Sequence, residues 1–385
     1  MPEDSADFRD IEITDVQTTQ VAGNFTWTLI RIYTDEGTYG TGEAYWGAGV
    51  EQIVHRIRDV IIGENPCDID RLYTQMLRAL SGEGSIGGTT VTAISGVEIA
   101  LHDLAGKIHG VPAYQLLGGK YRDEVRIYCD CHAGDDPSDP ESYANEAENV
   151  LEEGWDAIKF DLDAEESWTG EDEWTRHLTD AEVRHKADIV REVVDRVDGR
   201  ADVAFDCHWR WSGDTTRRLA VAIEPYDVWW LEDPVPPENH DVQWTVTQNT
   251  NTTIATGENV YRKHGQRRLI EEQALDIVQP DMPKIGGMRE TMKIADLADT
   301  YYIPMALHNV SSPVGTMAGA HVAAAARNFI AMEFHARDVP WWGDVVEEDV
   351  LEAGRISVPD EPGLGVTLDY DAVEAHLVDG STIFD

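Results

Sequence analysis

Short apolar runs recur along the chain from Val125 onwards, and longer stretches with helical spacing separate most of them. The runs are typical of buried strands, and 180–197, 213–223 and 287–299 have the spacing of helices. Strands that alternate with helices predict parallel pairing through right-handed crossovers, and eight such units over about 210 residues predict a (β/α) barrel. A doubly wound sheet is the alternative, but no GxGxxG follows an early strand. The runs are VRIYCDC, AIKFDLD, DVAFD, VWWLEDP, TIATGEN, LDIVQPD, YIPMALHN and FIAMEFH.

The N-terminal third of the chain mixes strand and helix patterns without this alternation. The stretch TWTLIRIYTDEGTYGTGEAYW predicts two strands around the turn DEG. Helical spacing follows over 51–62, 68–80 and 89–108, so we predict a small α+β domain that ends at the Gly- and Pro-containing GVPAYQLLGG. The predicted organisation is an N-terminal capping domain over 1–122, a barrel over 123–345 and a C-terminal segment over 346–385 that packs back on the cap.

The charge balance is extreme, with 73 acidic against 30 basic residues and a formal net charge of −43. This disfavours nucleic-acid binding, which depends on clustered Lys and Arg. Because 42% of the residues are hydrophobic, a disordered acidic chain is also disfavoured. We interpret the net charge as an adaptation to a halophilic cytoplasm, where salt screens the repulsion between surface charges. The alternative is an acidic surface that is unrelated to salt. The presence of only seven lysines fits the halophilic interpretation.

No segment predicts export or membrane insertion. The N-terminal MPEDSADFRD has neither a basic region nor an apolar run, and no stretch approaches the roughly 18 apolar residues of a membrane span. The four cysteines show neither a disulfide framework nor a zinc-binding pattern. The sequence therefore predicts a cytoplasmic protein with no membrane partner.

Acidic residues end three successive predicted strands: Asp206, Glu232 and Glu258, each 26 residues after the one before. The C-terminal ends of barrel strands meet at one rim, so we expect the three carboxylates to converge. They would repel one another and raise each other's pKa, which a divalent cation would relieve. Oxygen ligands suit Mg²⁺ better than zinc. A single strand-end acid is more often a helix cap or loop charge, but three in register predict a magnesium site.

Histidines follow the neighbouring strand ends. Asp281 and His308 lie on adjacent predicted strands, where the carboxylate would fix the imidazole tautomer and raise its basicity, as in a general base. His208 shares a strand face with Asp206 and is expected across from His308. Two titratable groups on opposite sides suit the removal of one proton and the delivery of another.

These residues, with the motifs WWLEDP, ATGEN and IVQPDMPKIGG, resemble the enolase superfamily within its mandelate racemase-like group, over nearly the whole chain. The stretch VEIALHDLAGKIHGVPAYQLLGG is similar to the family's junction between cap and barrel. The resemblance implies that the three strand-end acids hold a Mg²⁺, which binds a substrate carboxylate and stabilises an enediolate. It implies that Asp281 and His308 form the base, that protonated Glu333 hydrogen-bonds an enediolate oxygen, and that the protein is a homo-oligomer.

The second predicted strand ends in Lys159-x-Asp161, where racemases of this group often have Lys-x-Lys. This departure disfavours a second hypothesis, that the protein is a racemase or epimerase of a 2-hydroxy acid and uses Lys159 and His308 as its two bases. We retain this hypothesis as the alternative. Lys159 is interpreted as a second base or an electrostatic donor. Asp161 is interpreted as a substrate contact or as a salt-bridge partner of Lys159.

Asp206-x-His208 resembles the acid-sugar dehydratases of the group, in which the histidine protonates the leaving 3-hydroxyl. NVSSPVGTMAGAH and EFHARDVPWW are most similar to aldonate dehydratases, which implies a hydro-lyase that forms a 2-keto-3-deoxy acid. We take D-gluconate as the first choice of small-molecule substrate, with D-xylonate, D-arabinonate and D-galactonate as alternatives. Trp27, Tyr45 and Trp46 are expected either to close over the polyol end or to be core aromatics of the cap.

Overall fold

The structure is a computed structural model that describes residues 10–164 and 174–384. Its N-terminal part is a three-stranded antiparallel sheet in the order β1-β2-β3, and the long helix α3 packs against β3. The turn DEG joins β2 to β3, as the sequence predicts, whereas β1 is a strand that the sequence analysis missed. The elements are β1 (Ile13–Ala22), β2 (Thr26–Thr34), β3 (Tyr39–Ala44), α1 (Val50–Ile61), α2 (Ile69–Ala79), α3 (Thr89–His109) and α4 (Ala113–Leu116).

Eight parallel strands close into a barrel, because β11 pairs with β4 as well as with β10. All eight predicted strands are present, so the predicted (β/α) barrel is confirmed. The predicted helices over 180–197 and 213–223 coincide with α6 and α7. The elements are β4 (Glu124–Cys131), α5 (Pro140–Glu152), β5 (Ala157–Asp161), α6 (Asp180–Val197), β6 (Asp202–Asp206), α7 (Gly213–Ile223), β7 (Trp230–Glu232), α8 (His240–Thr247), β8 (Ile254–Thr256), α9 (Arg262–Glu271), β9 (Ile277–Val278), α10 (Met282–Ile285), α11 (Met288–Thr300), β10 (Met305–Leu307), α12 (Pro313–Ala325) and β11 (Phe329–Phe334).

A packed layer fills the barrel beneath the C-terminal rim. It contains Tyr128, Ala157, Ala204, Trp230, Ala255, Ile277, Ala306 and Ala331. Side chains alternate along a strand, so the residues two positions after Ala157, Ala204 and Trp230 also point into the barrel, one layer higher. The strand pairing sets Asp206 level with both Asp161 and Glu232. The side chains of Lys159, Asp206 and Glu232 therefore lie directly above a closely packed layer of barrel residues.

The C-terminal segment contacts both earlier parts of the chain. Strand β12 (Arg355–Ser357) pairs antiparallel with β4, and helix α13 (Tyr370–Ala375) follows. Beyond α13, the Val378 N–H donates to the Gln20 carbonyl of β1. The boundaries at residues 122 and 345 stay predictions. Neither α13 nor any other helix within the described ranges has the length and apolar composition needed to cross a membrane.

Candidate active site

The ammonium group of Lys159 lies among carboxylates at the C-terminal rim of the barrel. Its Nζ is 3.2 Å from Asp206 Oδ2, 3.0 Å from Glu232 Oε1, 3.0 Å from Glu333 Oε1 and 3.5 Å from Asp130 Oδ2. Burial disfavours the charged form of Lys159, but Glu232 and Glu333 outweigh burial and hold its pKa well above the usual value. The rim thus brings together acids from β4, β6, β7 and β11 around one cation.

Asp281 and His308 form a close pair. His308 Nδ1 is 2.7 Å from Asp281 Oδ2, and its Nε2 faces Glu258 Oε2 at 2.8 Å and Glu333 Oε2 at 3.7 Å. An ionised carboxylate can only accept, so Asp281 fixes the proton of the neutral ring on Nδ1. Burial lowers the pKa of His308, but Glu258 and Glu333 raise it well above the usual range. Proton exchange with a substrate is therefore restricted to Nε2.

His208 lies just beyond β6 with a positive φ of 40°, a region that non-glycine residues rarely adopt outside functional sites and turns. Its backbone N–H donates to Asp206 Oδ1 at 2.8 Å, and its ring Nδ1 is 2.9 Å from Asp163 Oδ1. Its Nε2 is 3.6 Å from Asp206 Oδ2. Burial lowers the pKa of His208, but Asp206 and Asp163 outweigh it and raise the pKa to about 11. The imidazole is therefore a cation at neutral pH.

Asp161 lies beside His208. Within the described ranges, the ion pairs of Lys159 do not include Asp161, whose Oδ1 instead approaches His208 Nδ1 at 3.9 Å. The same oxygen is buried and has no hydrogen-bond partner in the described part of the chain. Asp161, Asp163 and His208 also have ligand atoms that all lie within 4.8 Å of one another. This geometry disfavours the salt-bridge interpretation of Asp161.

The rim carries a surplus of buried negative charge that fits a divalent cation. Among the described residues, its buried acids are Asp206, Glu232, Asp233, Glu258, Asp281 and Glu333, and its buried cationic groups are Lys159, Lys284 and His308. Burial and Asp206 raise the pKa of Glu232, and burial and Glu258 raise that of Asp233 to about 8. Uncompensated buried carboxylates are costly, and an all-oxygen donor set suits Mg²⁺. The donor chemistry of the rim therefore fits the predicted ion, but within the described residues the three ligand atoms that lie within 4.8 Å of one another belong to Asp161, Asp163 and His208 and not to the predicted set Asp206, Glu232 and Glu258.

Two of the three predicted cap aromatics lie near the rim. The Tyr45 ring centroid is 6.4 Å from that of His308. Trp46 stacks on Tyr45 at 5.7 Å and is 45% exposed. Trp27 is only 2% exposed, and its indole N–H donates to Asn24 at 2.8 Å. Its placement favours a packing role over the predicted substrate contact.

Three further charged residues at the rim were missed by the sequence analysis. Asp130 is the last but one residue of β4, and an acid near the end of the first barrel strand was a signal that could have identified it. Lys284 on α10 lies 3.3 Å from Glu258 Oε1. Asp163, two residues after β5, contacts His208. The last two follow their strands in a loop or a short helix, where strand alternation no longer fixes the side-chain direction.

Two family models match the chain. The one described as Mandelate racemase / muconate lactonizing enzyme, N-terminal domain, matches residues 11–118, and the one described as Enolase C-terminal domain-like matches residues 142–373. The chain belongs to the enolase superfamily. Membership in this superfamily confirms the resemblance inferred from the sequence motifs.

Relatives within the enolase superfamily extend over almost the whole chain. A protein of Haloferax volcanii named D-xylonate dehydratase is 61% identical over 379 residues, which cover 98% of this chain and 92% of that protein. A D-galactonate dehydratase of Variovorax paradoxus is 32% identical over 94% of each chain. The crystal structure of a mandelate racemase/muconate lactonizing enzyme-like protein from Rubrobacter xylanophilus matches with a TM-score of 0.94 and 39% identity, over 98% of this chain and 100% of that one.

Proposed function

We propose that this enolase-superfamily member dehydrates D-xylonate to a 2-keto-3-deoxy acid. The broader statement, that it is an acid-sugar dehydratase and hence a hydro-lyase, follows from both named relatives. D-Xylonate is chosen over D-gluconate, the first choice from sequence, because of the 61% identity to the Haloferax volcanii protein. The observation that carries the reaction type is the presence of two imidazoles at one rim, His308 and His208, each held by its own carboxylate.

The first chemical step is removal of the C2 proton by His308 Nε2. Asp281 orients the ring through Nδ1 and stabilises the imidazolium that forms. The electron pair of the C2–H bond moves towards the substrate carboxylate, where the Lys159 ammonium stabilises the developing charge. A lysine whose surroundings keep it charged cannot accept a proton, so we assign the electrostatic role, not that of a second base, to Lys159.

The second step is loss of the 3-hydroxyl. His208 gives a proton from Nε2 to that hydroxyl as the C3–O bond breaks, and water leaves with the bonding electrons. The resulting enol tautomerises to the 2-keto-3-deoxy acid. Asp163 accepts from Nδ1 at 2.9 Å and thereby leaves Nε2 as the nitrogen that faces the substrate.

The residues that would hold the Mg²⁺ are Asp206, Glu232 and Glu258. When bound, the ion supplies electrostatic stabilisation to the substrate carboxylate. Glu258 Oε2 now lies 2.8 Å from His308 Nε2. A cation held by Glu258 would offset the negative charge that raises the pKa of His308, and would thereby favour the neutral ring that can accept the C2 proton at Nε2.

The proposed substrate predicts a ranking among aldonates. With Mg²⁺ present, kcat/KM for 2-keto acid formation is expected to be at least about tenfold higher for D-xylonate than for D-gluconate, D-arabinonate or D-galactonate, as differential contacts of 1–3 kcal/mol would give. Faster turnover of D-gluconate would contradict the choice of D-xylonate and would favour D-gluconate, the first choice from the sequence. Deuterium incorporation at C2 from D₂O without any loss of water would favour the racemase alternative.

Replacing His208 by asparagine is expected to separate the two steps. Dehydration should fall at least about a hundredfold, because general acid catalysis is lost, while exchange of the C2 proton with D₂O continues because His308 is intact. Both rates can be followed by NMR in one sample. Dehydration at the wild-type rate would contradict the assignment of His208 as the acid.

A further inference from the structure

A cavity of about 240 Å³ opens at the rim beside the ends of β4, β5 and β11. Its lining consists of four carboxylates, two imidazoles and one guanidinium. Because eight strands form the ring, β11 lies four strands from β7 in either direction and therefore faces it across the barrel. A substrate whose carboxylate lies beside Glu232 of β7 would direct its other end towards this cavity.

Asp130 and Asp161 line the cavity and also lie against active-site residues, Asp130 beside Lys159 and Asp161 beside His208. Lys159 Nζ is 3.5 Å from Asp130 Oδ2 and 3.2 Å from Asp206 Oδ2, so a five-carbon chain that begins beside Asp206 can extend to Asp130. Asp161 presents the buried Oδ1 that has no hydrogen-bond partner within the described residues. A buried acceptor without a donor is costly, and a substrate hydroxyl would supply one.

The charged residues that line the cavity disfavour the binding of a second carboxylate group of a substrate. The guanidinium of the cavity, Arg337, is already paired with Glu153, at 2.9 Å from Nε to Oε2 and 2.6 Å from Nη2 to Oε1, and it also contacts Glu146. Even with Asp161 protonated, three lining carboxylates, on Asp130, Glu153 and Asp338, outnumber this one guanidinium. The two lining imidazoles each face one of these acids, His132 at 3.8 Å from Asp338 and His335 at 3.7 Å from Asp130. A group that enters the cavity must therefore donate hydrogen bonds and carry no negative charge.

We propose that this cavity binds the terminal hydroxymethyl end of the aldonate and excludes a second carboxylate. The enzyme then accepts sugar monoacids and rejects aldaric acids of the same length. This inference rests on the proposed dehydratase function and adds the residues that set its specificity. Hydroxyl groups of the substrate donate to Asp130 and Asp161, whereas a terminal carboxylate would lie among carboxylates that outnumber the one guanidinium, which is already paired with Glu153.

The test compares D-xylonate with xylarate, the meso aldaric acid of the same length, at equal ionic strength. In the wild type, kcat/KM is expected to favour D-xylonate by at least about a hundredfold, because a second carboxylate would lie among like charges. The double variant Glu153→Gln/Asp338→Asn removes two negative charges and releases one partner of Arg337. We expect it to lower the preference at least about tenfold.

A matched control is Glu347→Gln/Asp349→Asn, which changes the net charge equally at two exposed residues outside the cavity. For this control variant, the ratio of kcat/KM for D-xylonate to kcat/KM for xylarate should equal that of the wild type. Equal use of xylarate and D-xylonate by the wild type would overturn the proposal, and so would a cavity variant with the preference of the control. Failure to dehydrate any aldonate would instead overturn the proposed function.

Discussion

Replacing His308 by asparagine is expected to lower kcat at least about a thousandfold, within the range that a positioned general base contributes. An amide has no basic nitrogen, so the variant cannot take the C2 proton that His308 Nε2 is positioned to remove. KM should change much less, because Lys159 and the proposed metal ligands, which we propose to hold the substrate carboxylate, are intact. The expected signature is a selective loss of kcat.

The measurement follows 2-keto acid formation and C2 deuterium exchange together. Both rates should be lost in His308→Asn, in contrast to His208→Asn, in which exchange survives. The control is His55→Asn, because His55 is an exposed histidine on α1. Turnover near the wild-type rate in His308→Asn would show that another group removes the proton and would refute the proposed roles of both histidines.

The barrel could be predicted because each parallel strand is buried on both faces and forms a continuous apolar run. The strand β1 could not, for a local reason. Its pairing with β2 shifts register between Ile13 and Asp15, and such a bulge reverses the side-chain alternation. The buried positions are Ile13, Val16, Thr19 and Val21. Beyond the bulge, Val16 lies on the opposite face of the strand from Thr19 and Val21, so the buried positions do not have the period of two used to recognise strands.

The candidate site also contains some groups that could be predicted from the sequence and others that could not. Asp206 and Glu232 lie side by side as expected, because strand register fixes both their height and their direction. The contact between Asp163 and His208 depends on the path of two loops and on the positive φ of His208. Sequence periodicity contains no information on either, so the group that orients the proposed acid could be found only in three dimensions.

Removal of divalent cations is expected to abolish turnover, and Mg²⁺ alone should restore it. The physical reason is the surplus of buried carboxylates at the rim, of which Lys159, Lys284 and His308 compensate only a part. The same surplus predicts that Mg²⁺ stabilises the fold. At about a hundred times its Kd the ion should add about 2.7 kcal/mol to the free energy of unfolding, which a thermal melt with and without EDTA detects. Turnover that is unaffected by chelation would refute the metal role.

Two carboxyl-to-amide variants decide where the ion binds. Glu232→Gln removes one proposed ligand and should raise the Mg²⁺ concentration for half-maximal stabilisation at least about tenfold, since even outer-shell changes cost that much. Asp163→Asn removes an acid from the neighbouring set with Asp161 and His208 and should leave this concentration near that of the wild type. The opposite order would place the ion beside His208, where a bound metal would occupy the imidazole that we assign to proton delivery. The strand-end acids are the expected site because all three donors are oxygens and His208 then remains free to protonate the leaving hydroxyl.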